Sequence, residues 1–293
     1  MRAYTGLALA LLATVGLLAV RIAAGPTGAG IRHAMAAAPD RGLYYAAPGS
    51  LLLVRPEGGV RLLATTLGPG TPLALAADSD FLVLGTTAGV EQSSDGGRTW
   101  GAAPVAAGHY PAVFVSGSTA LAGEWGGAIW TTTDRGSSWR RTAALRGEYQ
   151  ALTALHGEWF AATLTGLLRS PDRGASWETT GTPPRVMALQ PAGDQVLAAT
   201  WPGQIFSIGA IGDPKLVTDL HVGVWTLAAG LAATTDGVRD SGAVALAGRE
   251  VSALVDSDGI LYAGVAGGPV ELSTDGGRTW TQLKVKSSTA TVT

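Results

Sequence analysis

The sequence predicts an all-β fold: a single seven-bladed β-propeller, with six blades as the alternative count, after an N-terminal hydrophobic helix. Three observations carry this. An eight-residue pattern, Ser/Thr-x-Asp-x-Gly-x-Ser/Thr-Trp, occurs four times and ends at Trp100, Trp139, Trp177 and Trp280. Its first three copies lie 39 residues (Trp100 to Trp139) and 38 residues (Trp139 to Trp177) apart, the period of a four-stranded blade. Short apolar strands separated by a Gly turn recur upstream, in Asp80–Gly89, Gly157–Gly166 and Gly259–Gly268.

From the N-terminus, Arg2 precedes an uncharged run, Ala3–Val20, closed by Arg21. Its most apolar part, Leu7–Val20, is shorter than the roughly 20 residues of a membrane span and suits a signal peptide's apolar region. The leading Arg favours an N-in orientation. Residues 1–24 are therefore expected to be a signal peptide or a membrane anchor, with small-residue cleavage options at Ile22–Ala24 and Ala36–Ala38. Residues 25–40 read as a linker, 41–285 as the propeller and 286–293 as a polar tail. Gly42–Val54 is a unit without the eight-residue pattern, and three units with it follow. The next copy lies 103 residues beyond Trp177, too long for two repeats and short for three. Two degenerate units fill that gap: Val186–Ser207, and the shorter Val224–Leu246, whose reading as an insertion gives six blades. A closed ring removes open sheet edges, so residues 41–67 are expected beside 251–285.

Each constrained position of the pattern has a physical reason. Asp95, Asp134, Asp172 and Asp275 accept hydrogen bonds from nearby backbone N–H groups and close a turn. Gly97, Gly136, Gly174 and Gly277 supply the positive φ of a tight hairpin. Trp100, Trp139, Trp177 and Trp280 are flat plugs with a polar N–H, suited to the space between units. The pattern resembles the Asp-box (BNR) repeat of sialidases, sortilin-type receptors, xyloglucanases and photosystem II assembly factors. One export segment followed by one propeller is most similar to bacterial BNR-repeat proteins of the photosystem II assembly-factor type, over residues 41–285. The resemblance implies that the box joins the outer two strands of a blade, on the face away from the ligand.

In such a blade the B–C and D–A connections share one face, here the near face. The A–B and C–D turns, with the boxes, share the far face. Near-face candidates for binding are Tyr110, Trp125, Arg146, Glu148, Tyr149, Arg185, Trp201 and Arg249. Arginine pairs with carboxylates, and exposed Trp or Tyr stacks on sugars or side chains.

A formal net charge of −2 without a basic stripe argues against nucleic acid. The absence of Cys excludes disulfides, thiolate catalysis and Cys-ligated metals. The four His have no metal spacing, and Asp78–Asp80 and Asp256–Asp258 lack the later Glu of a calcium loop. No metal, cofactor or catalytic residue is expected. The expected function is that of a non-catalytic, extracytoplasmic propeller, secreted or anchored by residues 3–20, monomeric, binding a protein or glycan partner on the near face. The alternative is a sialidase-like glycoside hydrolase, which needs an Arg triad (Arg146, Arg185, Arg249) and a Tyr nucleophile polarised by Glu (Tyr149, Glu148).

Overall fold

The computed structural model describes residues 34–38, 40–144, 148–209, 213–240 and 243–283. The expected helix in 1–24, Arg146 and the 286–293 tail lie outside them. The described residues hold no helix and form seven antiparallel four-stranded sheets, over 34–64, 72–102, 112–144, 149–179, 186–219, 224–245 and 251–282. Within each blade, strands A to D follow chain order, each paired with the next. Neighbouring A strands touch all the way round, the first against the last, so strand A lines the channel and strand D the rim. Residues 224–245 are a complete blade rather than an insertion, which makes the count seven.

One boundary is corrected. Strand A of blade 1 is Ala34–Ala38, inside the stretch read as linker. It pairs with Gly42–Ala47, Ala34 opposite Ala46 and Ala38 opposite Gly42. A run of Ala shows no alternation of large apolar and polar side chains, so its periodicity was invisible. The cleavage option at Ala36–Ala38 falls within this strand.

The core is divided into seven apolar clusters, one at each blade–blade interface. Small residues in the B strands, such as Ala122, Ala161, Ala198 and Ala263, are buried and let the sheets approach closely. Blades 1 and 7 each have all four strands, so no strand is exchanged to close the ring. Closure rests on packing of Met35, Leu43 and Tyr45 against Ala253, Tyr262 and Leu283, as expected from the meeting of the ends. A hydrogen bond reinforces it, Asp40 N–H donating to the Asp258 Oδ2 carboxylate at 2.7 Å.

The four repeat turns all connect strands C and D, and their bonding is nearly identical. In blade 3, Thr132 Oγ1 donates to Asp134 Oδ1 at 2.7 Å and accepts from Gly136 N–H at 2.9 Å. Asp134 also accepts from Ser138 N–H at 2.9 Å. Ser93/Asp95/Gly97/Thr99, Ser170/Asp172/Gly174/Ser176 and Ser273/Asp275/Gly277/Thr279 repeat the arrangement. Hydrogen bonds from Ser138 and Thr132 hold Asp134 at a pKa of about 2, and Asp172 and Asp275 are lowered likewise. At Asp95 desolvation pushes upward, but bonds from Thr99, Ser93 and Arg98 outweigh it and hold it at about 2. Gly136 has φ +83°, and a Cβ there would lie 2.1 Å from Gln92 Oε1 of blade 2. Each repeat Trp is half-buried against the preceding blade; Trp139 Nε1 donates to Gln92 Oε1 at 2.8 Å.

Candidate functional site: the near face

Backbone bonds sort the connections into two faces. On the far face Gly96 N–H, in a C–D turn, donates to Asp80 O in an A–B turn, and Arg135 N–H donates to Ser118 O. On the near face Trp125 N–H donates to His109 O, and Trp201 N–H to Arg185 O, each joining a B–C turn to a D–A loop. The far face therefore carries the repeat turns, with Arg98, Arg135, Arg173 and Arg278.

Near-face B–C turns have a small motif of their own, Thr-x-x-Gly, in blades 2, 4, 5 and 6. Thr86, Thr163, Thr200 and Thr234 each donate their hydroxyl to the backbone O three or four residues on. Gly89, Gly166, Gly203 and Gly237 take positive φ in these turns.

The predicted binding residues divide sharply. Trp125, in the B–C turn of blade 3, is 50% exposed. Arg185 is exposed in the loop before blade 5, and its guanidinium lies 5.8 Å from the Trp201 ring centroid, a cation–π contact. Trp201 in turn packs on Trp225, ring centroids 5.1 Å apart and tilted 54°. Beneath it the backbone of Gly223 comes so close that a Cβ would meet the indole at 2.2 Å. Residues of two adjacent blades thus build a cation backed by two indoles. Glu148 is half-exposed at the edge of blade 4.

Three expectations are corrected. Tyr110 and Tyr149 are fully buried. They occupy equivalent places, each leading into an A strand and seated on a glycine of the preceding blade, Gly85 and Gly123. Tyr110 Oη donates to Ala106 O at 2.8 Å, and burial followed by the Glu124 charge raises its pKa. Tyr149 Oη donates to Gly127 O at 3.3 Å, so it is a core residue rather than a surface contact or a nucleophile. Arg249 is committed to Glu271, whose side chain is 7% exposed, at 2.7 Å. An unpaired carboxylate there would be costly, so Arg249 neutralises the blade rather than a ligand. The sialidase-type constellation is not assembled by the described residues.

Trp225 was missed. It is the second residue of its A strand, where the register shifts between Val224 and Thr226. The same shift follows Pro72, Tyr149, Val186 and Val251. Leu73, Gln150, Met187 and Ser252 are therefore its counterparts around the channel mouth. Aligning the A strands by their first residue would have exposed a Trp at a bulge, where side chains are re-aimed.

Fold and site define a seven-bladed propeller with an Arg–Trp–Trp cluster on one face that does not recur among the described residues. No family profile and no curated protein matches the chain. Solved structures do match. The computationally designed Ika8 protein shares 16% identity, over 83% of this chain and 84% of that one, with TM-score 0.62. YCF48 bound to D1 peptide shares 19%, over 73% and 82%, with TM-score 0.57. An ancestral GH74 enzyme shares 11%, over 90% of this chain and 47% of that one, with TM-score 0.58. At these identities the likeness is one of fold.

Proposed function

We propose that the chain is a non-catalytic binding propeller, exported and either released or held by residues 3–20, that grips a protein partner on its near face. The observation that carries this reading is the cluster of Arg185, Trp201 and Trp225. Among the described residues of that face, side chains of the types that dominate protein interfaces meet there. Trp125 adds an exposed indole on the same face. The eight-residue turns support the Asp-box reading, in which ligands take the opposite face. The fold likeness to YCF48, a propeller seen with a peptide, agrees with an assembly-factor type of role.

Capture of partners from membrane extracts tests the reading. A Trp125→Ala/Arg185→Ala variant retains at least tenfold less partner than wild type, whereas the far-face variant Arg278→Ala retains it fully. Equal retention by the first variant removes the near face from the function.

A further inference from the structure

We infer that the near face, rather than the far face, is turned toward the membrane, and that its partner is the bilayer-adjacent segment of an integral membrane protein. The inference rests on the binding role proposed above and on residues 3–20 acting as an anchor.

The direction of the first strand decides the orientation. Strand A of blade 1 runs from Ala34 to Ala38 and ends at the turn holding Asp40 and Arg41. That turn is on the far face: Asp40 bonds Asp258 and Arg41 faces Asp80 at 3.7 Å, both in A–B turns. Ala34 therefore sits at the near face, and because strand A is innermost it sits beside the channel mouth. Whatever precedes Ala34 leaves from the middle of the near face, not from its rim.

The linking stretch Arg21–His33 has thirteen residues, about 45 Å at full extension. Turning the far face to the bilayer would require it to cross the four strands of a blade, about 15–20 Å, and then descend the blade's height, about 20 Å. Almost no length would remain to reach the anchor. With the near face toward the bilayer the same stretch leaves a gap that a polypeptide segment can enter.

Charge selects a protein over lipid as the occupant. An anionic leaflet attracts Lys and Arg clusters, yet the described near-face turns hold the carboxylates Glu124, Glu148 and Glu250. Arg249 is spent on Glu271, which leaves Arg185 as the near-face guanidinium without an ion pair among the described residues. Most charged turns are on the far face, where Arg55, Glu57, Asp95, Arg98, Asp134 and Arg135 lie.

The chain has no Cys, so single labels are clean. Full-length protein carrying Trp125→Cys or Ser137→Cys, each with a donor dye, is reconstituted into phosphatidylcholine vesicles containing an acceptor lipid. Energy transfer is expected to be at least threefold more efficient from position 125 than from the far-face position 137; equal or reversed efficiencies overturn the orientation. Protein that washes off the vesicles overturns the anchor instead. Doxyl-labelled lipid should leave the position-125 label unquenched, and strong quenching makes lipid the occupant and overturns the protein partner. Finally, a photo-crosslinker at position 125 is used in native membranes, with a protease site inserted at Gly28 to free the propeller. Adducts that stay in the carbonate-washed pellet after cleavage support an integral partner, and adducts in the supernatant overturn it. Absence of any adduct sinks the binding role itself while the orientation, read by energy transfer, stands.

Discussion

The two faces of this propeller are built by opposite strategies. The far face repeats itself: four C–D turns use the same Ser/Thr, Asp and Gly positions, the same bonds and the same Trp wedge. The carboxylates of these turns accept several hydrogen bonds each, and A–B turns are clasped between blades, as where Asp78 Oδ2 accepts from Gly117 N–H at 2.6 Å. The near face repeats only its hidden parts, the Thr-x-x-Gly turns and the bulged A strands. What it shows to solvent is singular: Trp125 in blade 3, Arg185 and Trp201 in blade 5, Trp225 in blade 6. Repetition marks what the ring needs to stand, and its absence marks what one partner can recognise.

Substitutions can break or sharpen that contrast. The largest effect is expected at the far face, where Gly136→Val imposes a left-handed φ on a β-branched residue and drives Cβ into Gln92; denaturant unfolding should show a loss of about 3 kcal/mol or more. Trp139→Ala empties a half-buried wedge and its bond to Gln92, and the same assay should show about 2–3 kcal/mol. Tyr149→Phe removes one buried bond and should cost about 1 kcal/mol. If Tyr149→Phe instead abolished hydrolysis of a chromogenic glycoside, the burial of that tyrosine would have to be reconsidered. Trp125→Ala should change stability by less than about 0.5 kcal/mol while weakening partner capture.

Acid adds a titration of the repeat turns. The four repeat carboxylates sit at about 2 in the fold and near 4 when unfolded. Their folded pKa is depressed, so the stabilisation is fully present above about pH 4 and is lost as pH falls toward 2. Melting temperature should drop across that window, and less so in Asp134→Asn. An unchanged drop in that variant would separate the turns from acid stability.

Most of the fold was legible because the eight-residue pattern couples a local turn to a blade-length period. The count of seven was less so, since blades 1, 5 and 6 lack the pattern and had to be read from strands alone. The Ala34–Ala38 strand was hidden by its composition: small residues pack the crowded centre but carry no amphipathic signal. The site was legible only as a face. Sequence placed Tyr110, Tyr149 and Arg249 on the right connections, yet it could not show that Gly85 and Gly123 had opened seats for the two tyrosines. Nor could it show that Glu271, on strand C of blade 7, would claim the arginine. Trp225 hid for the converse reason: it read as core in an A strand, and the bulge beside it has no signature of its own in the sequence.

The seam between blades 1 and 7 has a last consequence. Because the ends meet through packed side chains and no strand pairing crosses the seam among the described residues, every hydrogen-bonded ladder described belongs to one uninterrupted stretch of chain. A blade is thus a module with its own coding segment. Cutting the chain in any D–A loop and joining Ala34 to Leu283 through a short linker would sever no ladder, which makes this ring a natural substrate for circular permutation.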